Sequence, residues 1–537
     1  MFQYPAFHFP SSKPKNKKDY YLQRFFEIAP GVISLSIIFS CFYFSYSWPV
    51  AIAIFIIIFD LYWLVRTGYI SVFVIFAYRR IKIWEKEDWL GKYRAARSVF
   101  SSKEELKERK EDYNSSLTIS SSNGKTDSQE IYHLVILPTY KEDIEILKAS
   151  INSILNSDYP KNKIILVMAF EERAGDEAIE KAEILENQFS DKFFAYLTTI
   201  HPDGLAGEAR VKGANLNWAA KEARLFLDEK NIKYENVLIS AFDCDSCVHP
   251  KYFSCLAYKF LTAKNRRQLS FQPIPFYNNN IWQASAFVRV LMANSSFWQM
   301  IQSVRTGKMV TFSSHSMNFK TLVNVGYWPA DIISDDSIIF WKCFSYYNGN
   351  YKTVPIYLPI SMDAISSGNI FKDFVNQYKQ LRRWAWGVEN VPIVFRMFLE
   401  NKKIPLAKKI TRGWEEISGR ISWGVAPIII TTLGWLPIIL GGEKFHQTTI
   451  ALNLPSILGH LMTLAMVGVL ISILVFLLLL PPMPKETNKS RYFIMVGQWV
   501  LVPIIAIPLG AMPMLDAQIR LMLGKYLEFW VTEKKRN

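Results

Sequence analysis

The chain has 537 residues, 50% of which are hydrophobic, and it carries a formal net charge of +15 at pH 7. This length allows at least two folded units with their own cores. The combination of apolar content and positive charge is atypical of one soluble domain and indicates bilayer segments flanked by basic residues that face anionic lipid. We exclude nucleic-acid binding, because the basic residues cluster beside the apolar runs.

The cysteines exclude a disulfide framework, since their number is odd and their spacing is irregular. Cys244 and Cys247 form a CxxC pair, but no second pair is present to complete a zinc site. We interpret all of them as reduced thiols. Reduced thiols predict that the main domain lies in the cytoplasm.

The first 130 residues are predicted to anchor the chain. We expect a basic segment over 1–30, two transmembrane helices over 31–80, and a charged helix with a flexible linker over 81–130. No small-residue cleavage site is evident, which favours anchors over a signal peptide. Asp60 lies inside the second apolar run. It is either a functional residue or one that simply lies near the membrane interface, as the nearby Arg66 indicates, and we favour the second interpretation.

Residues 131–395 have the alternating pattern of a soluble α/β domain. Short apolar runs at 134–138, 163–170 and 236–243 alternate with helical stretches. Such alternation predicts a Rossmann-like, mostly parallel sheet with crossover helices.

The remaining residues are predicted to return to the membrane. We expect interfacial amphipathic helices over 396–421, three transmembrane or re-entrant spans over 422–515, and a basic tail over 516–537. Two crossings before the soluble domain and three after it would place the tail on the opposite side of the membrane. The basic residues of the tail favour the cytoplasmic side instead. A last span that re-enters would resolve the conflict, and its prolines favour that alternative.

Two aspartates follow an apolar strand in the stretch NVLISAFDCDSCVHP, residues 236–250. Ligands of open α/β sheets bind at the carboxyl ends of the strands. Asp243 and Asp245 would point at one cavity there and would repel each other unless a cation lay between them. Carboxylate oxygens favour Mg²⁺ or Mn²⁺, and a diphosphate would complete the shell. If the DxD pair instead lay in a surface turn, it would not indicate a metal site.

Two further motifs carry groups that could act on such a ligand. Asp335 and Asp336 in DIISDDS either cap the following helix or supply a general base. Gln380, Arg383 and Trp384 in QYKQLRRWAWG would share one helix face, where the arginine could bind a departing diphosphate and the tryptophan a sugar. The alternative for this second motif is an interfacial helix against lipid headgroups.

The order of these motifs resembles glycosyltransferase family 2, the inverting enzymes with a GT-A fold. PTYKED (138–143), DCD, SDD and QLRRW follow one another as in that family. The Q-x-x-R-W element with its flanking apolar spans is most similar to the membrane-embedded synthase branch, which includes cellulose synthases, hyaluronan synthases and ceramide glucosyltransferases. The resemblance covers about 131–395.

This resemblance implies an α/β GT-A catalytic domain flanked by transmembrane helices. It also implies a UDP- or GDP-sugar donor, Mg²⁺ or Mn²⁺, and a polysaccharide or lipid acceptor. The chain is then expected to be an integral protein of the plasma (inner) membrane in contact with membrane lipid, with its catalytic domain in the cytoplasm.

The resemblance assigns the nucleotide end of the site to two strand ends. Pro138, Thr139, Tyr140 and Glu142 would line the base and the ribose. Glu171 stands where the family usually has the first of two aspartates that help to hold the base. This departure leaves the identity of the nucleotide open.

The resemblance assigns the chemistry to the later motifs. Lys212 in KGANLN would approach the donor diphosphate, Asp243 the ribose and donor sugar, and Asp245 the metal, with Asp243 as its other ligand. Asp336 matches the catalytic base, and Asp335 stands in place of the more usual glutamate. The diphosphate and the acceptor end are assigned to Gln380, Arg383 and Trp384. His315 could contact the acceptor or the metal side, but a lone histidine is more often structural.

Three functions stay open from the sequence. The favoured one is a transferase, either a processive synthase that exports its polymer or a single-transfer enzyme that glycosylates a lipid. The second is a membrane transporter or channel with a soluble regulatory domain. The third is a degenerate transferase that binds a nucleotide-sugar without turnover.

Overall fold

The computed structural model of the chain describes residues 7–12, 14, 16–99, 130–305, 307–485, 488 and 490–528. The predicted linker, the first six residues and the end of the predicted basic tail lie outside the described residues.

One mixed sheet forms the centre of the α/β domain. Its strands are β1 (Tyr132–Pro138), β2 (Ile164–Glu171), β3 (Ala195–His201), β4 (Val237–Ala241), β5 (Cys247–Val248), β6 (Leu269–Phe276), β7 (His315–Asn318) and β8 (Lys352–Ser361). They lie in the order β3-β2-β1-β4-β7-β6-β8-β5. The pairs β1–β2, β1–β4, β2–β3 and β6–β8 are parallel, and β7 runs antiparallel to both β4 and β6. The predicted fold class, an α/β domain with a mostly parallel sheet, is confirmed.

The described helices carry labels in chain order. They are α1 (Lys17–Ser47), α2 (Pro49–Lys86), α3 (89–99), α4 (Ile144–Leu155), α5 (Asp176–Phe189), α6 (Lys212–Glu229), α7 (Tyr252–Thr262), α8 (Ala286–Val304), α9 (Phe319–Val325), α10 (Asp335–Tyr346), α11 (Ile370–Ala385), α12 (Asn390–Glu400), α13 (Leu406–Thr431), α14 (Leu436–Leu440), α15 (Gly442–His446), α16 (Thr449–Leu479), α17 (Arg491–Gly497), α18 (Val502–Ile505) and α19 (Met512–Met522).

Two apolar layers cover the two faces of the sheet. Along β1, Leu134 and Ile136 belong to one core cluster, whereas Val135 and Leu137 belong to the other. Successive side chains of a strand point to opposite faces, so a strand that is buried on both faces needs a continuous apolar run. The central strands are therefore the ones that the sequence reveals most clearly.

Four described helical segments are long and apolar enough to cross a membrane. They are Lys17–Ser47, Pro49–Lys86, Thr449–Leu479 and Arg491–Met522. A fifth candidate is the pair Leu406–Thr431 and Leu433–Leu440, which is bent by 49°. Apolar helices thus flank the α/β domain in the chain, as predicted, although the first begins earlier than expected and the second ends later.

The last apolar segment, Arg491–Met522, contacts the α/β domain at both ends. At its start, Arg491 Nη2 donates to the carbonyl oxygen of Trp282 at 3.0 Å. Near its end, Asp516 accepts from Arg382 of α11 at 3.0 Å. In its middle, the carbonyl oxygen of Gly510 accepts from Trp423 Nε1 at 3.0 Å. A re-entrant segment requires both ends on one side of the membrane, and this arrangement satisfies that requirement.

Candidate active site

The first aspartate of the DxD pair lies just beyond β4, a central strand of the sheet. Lys212, the first residue of α6, donates to Asp243 Oδ1, and the hydroxyl of Ser313 donates to Asp243 Oδ2. Burial alone would lower the pKa of Lys212. The carboxylates of Asp243, Asp335 and Asp336 outweigh that effect and raise the pKa, so this lysine is held as a cation.

The second aspartate of the pair is anchored in a buried network. Asp245 is only 1% exposed, and its Oδ2 accepts from the backbone N–H of Asp363 at 2.9 Å. Asn279 Nδ2 donates both to the carbonyl oxygen of Asp245 at 3.1 Å and to the carboxylate of Asp363 at 2.9 Å. Asn279 and Asp363 were not predicted from the sequence. No local motif identifies them, because they come from loops after β6 and β8.

The paired aspartates of DIISDDS open helix α10. Ser334 is the N-cap residue and makes no side-chain capping bond, and both aspartates lie in the first turn of the helix. The backbone N–H of Ser313 donates to Asp336 Oδ2 at 2.6 Å. Burial raises the pKa of Asp336 above its usual value. Asp335 is 4% exposed, and burial, with the charges of Asp336 and Asp243, raises its pKa to about 7.

Ser313 joins the two acidic motifs. Its hydroxyl binds Asp243 and its backbone N–H binds Asp336, so one residue of the loop before β7 contacts both carboxylates. The backbone of Ser313 has φ 48°, a left-handed conformation that is uncommon for residues other than glycine. Sequence reasoning missed this residue, and only its position two residues before His315 could have drawn attention to it.

Helix α6 approaches helix α10 closely at Gly213. A Cβ atom on Gly213 would lie 2.5 Å from the carbonyl oxygen of Pro329 and 2.9 Å from the Cβ of Asp335. Only glycine permits this approach without displacing backbone. The glycine of KGANLN therefore sets the distance between Lys212 and the acids.

The Q-x-x-R-W motif lies on α11, beside the loop that carries Ser313. The ring of Trp384 lies 6.2 Å from that of Phe312 and 5.6 Å from that of Tyr277. Gln380 is 2% exposed and accepts from Gln377 Nε2 at 3.1 Å. Arg383 lines a cavity, which is formed by Ile333, Lys379, Arg382, Arg383, Leu527 and Glu528. The motif thus presents a basic cavity and an aromatic surface at the edge of the acidic site.

The predicted nucleotide residues meet at the ends of β1 and β2. Glu142 Oε2 accepts from Thr139 Oγ1 at 2.9 Å and from the backbone N–H of Tyr140 at 2.7 Å, which fixes the turn after Pro138. Glu171 ends β2 and accepts from Arg173 Nε, and burial raises its pKa.

Arg173 was not predicted, yet it links the two strand ends. Its guanidinium stacks 4.3 Å above the ring of Tyr140 while it binds Glu171. A cavity opens at this point, lined by Glu171, Arg173, His201, Asp203, Gly204, Leu205, Glu208, Ala209 and Arg210. Within it, His201 Nε2 lies 2.7 Å from Glu208 Oε2.

His315 lies in the sheet. It is 1% exposed on β7, and its Nδ1 lies 3.2 Å from the carbonyl oxygen of Ser313. Burial lowers the pKa of His315 to about 4, so the ring is neutral at physiological pH. These contacts favour the structural interpretation of this residue.

The acidic site was tested for its fit to a divalent cation. Asp243 and Asp245 supply the oxygen ligands that Mg²⁺ and Mn²⁺ prefer. Among the described residues, no three His, Cys, Asp or Glu side chains form a group that could hold a metal ion. Asp243 and Asp245 would supply only part of the coordination shell of such a cation, and a bound diphosphate would have to supply the rest.

Comparison with known proteins gives one family and several distant structures. A family model described as "Glycosyl transferase family group 2" matches residues 238–511, slightly more than half of the chain. No curated protein sequence matches the chain.

One similar solved structure is the mannosyltransferase PcManGT from Pyrobaculum calidifontis in complex with GDP-Man and Mn²⁺. Its sequence is 12% identical to this chain. The match covers 88% of this chain and 98% of that chain, with a TM-score of 0.41. S. aureus TarS 1-349 is 13% identical, with 64% and 90% covered and a TM-score of 0.34. TM-scores of this size do not establish a common fold.

Proposed function

Because the chain belongs to glycosyl transferase family group 2, we propose that it transfers a sugar from a UDP- or GDP-sugar to a hydroxyl group of a polysaccharide or lipid acceptor, with inversion at the anomeric carbon. The resemblance to glycosyltransferase family 2 is confirmed by the family match. One observation carries the rest of the proposal: Lys212 binds Asp243, and Ser313 binds both Asp243 and Asp336.

In this proposal Asp336 is the general base. Its raised pKa brings a carboxylate closer to the pH at which it operates, which favours proton transfer from an acceptor hydroxyl. The hydroxyl oxygen attacks the anomeric carbon of the donor, and the bond to the nucleoside diphosphate breaks on the opposite face. The proton remains on Asp336 until it is released to solvent.

The basic groups of the site would stabilise the departing diphosphate. Arg383 lines a cavity with Lys379 and Arg382, and Lys212 is a buried cation beside Asp243. Charge-assisted hydrogen bonds from such groups strengthen as negative charge develops on the leaving group. A Mg²⁺ or Mn²⁺ ion bound by Asp243 and Asp245 would neutralise part of the same charge.

We propose that the reaction takes place at the cytoplasmic face of the plasma (inner) membrane. The support is the set of apolar helices on either side of the catalytic domain and the basic character of the chain. The aromatic surface around Trp384 would receive the acceptor. Product length on a defined acceptor separates polymer synthesis from single transfer.

The proposal is tested by the release of nucleoside diphosphate from a panel of UDP- and GDP-sugars. The purified protein in nanodiscs, with Mg²⁺ or Mn²⁺, should turn over one donor, and Asp336→Asn should reduce kcat by about a hundredfold or more. Asp191→Asn, which alters an exposed acid, is the matched control and should retain activity. If no donor bound in a metal-dependent way, the transferase proposal would be wrong.

A further inference from the structure

Two arginines meet at the junction between α8 and α17. Arg289 is only 2% exposed; its Nε donates to Gln498 Oε1 at 2.6 Å, and its Nη1 donates to the carbonyl oxygen of Ala284 at 2.5 Å. Arg491 Nη2 donates to the carbonyl oxygen of Trp282 at 3.0 Å. The two guanidinium groups thus bind carbonyl oxygens two residues apart in the same loop.

Neither guanidinium has a carboxylate partner in the part of the chain that the structure describes. Burial and the positive charge of Arg491 lower the pKa of Arg289 to about 10, which still leaves it charged. A buried charge without a counter-charge is costly, and buried charges in proteins are normally paired. A bound anion would therefore stabilise these two neighbouring positive groups.

The same two chain segments contain further polar groups without partners. Trp282 Nε1, Ser285 Oγ and Arg491 Nε are buried, and each makes no hydrogen bond. Trp282 as a whole is 7% exposed. All three groups can donate hydrogen bonds, whereas buried polar groups in native proteins are usually satisfied. A ligand that binds between these groups is therefore expected to be anionic and to carry several acceptor oxygens.

The surface next to the arginines is apolar. Tyr492, Phe493 and Ile494 directly follow Arg491 and are 41%, 83% and 49% exposed. Exposed apolar side chains at the start of a segment apolar enough to cross a membrane suit contact with acyl chains. An anion with attached acyl chains fits this combination better than a soluble anion.

We propose that Arg289 and Arg491 form a binding site for the phosphate group of a membrane lipid. The phosphate oxygens would accept from both guanidinium groups, and the acyl chains would lie along the exposed face of α17. Lipid binding at these arginines does not depend on the proposed transfer reaction. Bound lipid would hold α8, which packs beside β6, against the last apolar segment.

The test is lipid binding to the full-length protein in detergent after delipidation, followed by native mass spectrometry. The probes are dioleoylphosphatidylglycerol, dioleoylglycerol with the same acyl chains and no phosphate, and inorganic phosphate at matched ionic strength. We expect the phospholipid to bind and dioleoylglycerol not to bind. Arg289→Gln and Arg491→Gln should each weaken phospholipid binding by about tenfold or more, because each removes charge-assisted hydrogen bonds.

Two controls keep the result specific. Arg79→Gln alters an exposed arginine of α2 and should leave binding unchanged. Because Arg289 is buried, its variant could lose stability; Arg491→Gln, which affects a partly exposed side chain, then decides the outcome. Equal binding by the wild-type protein and Arg491→Gln would overturn the site. If inorganic phosphate displaced the phospholipid at similar concentration, the proposal of a lipid ligand would be wrong, and the site would be assigned to soluble phosphate.

Discussion

At the scale of single residues, Ser313 is the position on which the candidate active site depends most. It contacts Asp243 through its hydroxyl and Asp336 through its backbone N–H, and it adopts φ 48°. Non-glycine residues in this conformation are held there by surrounding contacts, and such strain concentrates at functional sites. The two bonds explain why the strained conformation persists here.

We predict that Ser313→Ala lowers kcat by about tenfold to a hundredfold, since the lost hydrogen bond involves a charged carboxylate. Ser313→Gly removes the same hydroxyl but accepts the left-handed backbone without strain. Both variants keep the backbone N–H that binds Asp336. Steady-state kinetics on the two variants should therefore give similar losses. Wild-type activity in Ser313→Gly would show that the hydroxyl is dispensable.

The charge of Lys212 sets the pH range of the acidic pair. Burial raises the pKa values of Asp336 and Asp335, and the positive charge of Lys212 opposes both shifts. Activity that needs an ionised base is lost as pH falls through the pKa of that base. Lys212→Gln should therefore move the acid limb of kcat/KM to higher pH.

The control for this prediction is Lys212→Arg, which keeps the positive charge. Its acid limb should stay near that of the wild-type protein, even if its overall rate falls. A pH profile of Lys212→Gln with an unmoved acid limb would contradict the proposed electrostatic role. The two acids are close enough to titrate as a pair, so the profile reports the pair.

At the scale of elements, the packing of α6 on α10 sets the geometry of the site. Because a Cβ at Gly213 would lie 2.5 Å from Pro329 O, Gly213→Ala must displace either the helix or the loop before Asp335. We predict that this variant is destabilised by about 1–3 kcal/mol, as is typical of overpacking, and loses most of its activity. Thermal unfolding and donor turnover measure the two effects.

The matched control is Gly419→Ala on α13. A Cβ there has nothing within 4 Å, and the residue is exposed. This substitution should be neutral or slightly stabilising, because alanine favours helix more than glycine does. If Gly213→Ala behaved like Gly419→Ala, the close approach of the two helices would be unimportant.

Helix α19 has a similar role for the Q-x-x-R-W motif. Asp516 accepts from Arg382 at 3.0 Å and from Tyr378 at 3.2 Å, both on α11. The same carboxylate accepts from Arg520 at 2.7 Å. A residue near the C-terminal end of the described chain thus fixes the helix that carries Arg383 and Trp384. The end of the last apolar segment is therefore part of the support of the site.

At the scale of the whole molecule, the apolar segments predict which side of a membrane each loop occupies. The turn between α15 and α16 lies near the start of α2, since Phe445 and Leu454 share a core cluster with Ile52. The other end of α2 contacts the sheet, since the ring of Trp84 lies 5.2 Å from that of Tyr357 of β8. The end of α19 contacts α11 and therefore lies on the side of the catalytic domain.

We predict that Lys525→Cys and Lys230→Cys are labelled from the same side of the membrane, and Lys444→Cys from the opposite side. All three lysines are exposed. A membrane-impermeant maleimide applied to sealed vesicles of known orientation makes the measurement, and the unmodified protein, whose described cysteines are buried or partly buried, gives the blank. Labelling of Lys525→Cys and Lys444→Cys from one side would show that the last apolar segment crosses completely.

The sequence by itself determined the central strands, the acidic motifs and the family. Strands β1, β2 and β4 are continuous apolar runs because they are buried on both faces, and this signal is local. Asp243 and Asp336 could be selected because each lies in a short motif with recognisable neighbours. The apolar flanking helices were equally visible, since their length and composition need no tertiary information.

Only the tertiary structure decided how these parts meet. The antiparallel strand β7 enters between β4 and β6, although it is distant from both in the chain, and thereby brings Ser313 to Asp243. Likewise, the hydrogen bond between Asp245 and Asp363 joins residues that are 118 positions apart in the chain. The bond between Arg382 and Asp516 joins residues that are 134 positions apart. Such partners leave no local pattern, because a hydrogen bond between distant segments constrains each residue only through the packing of the whole chain.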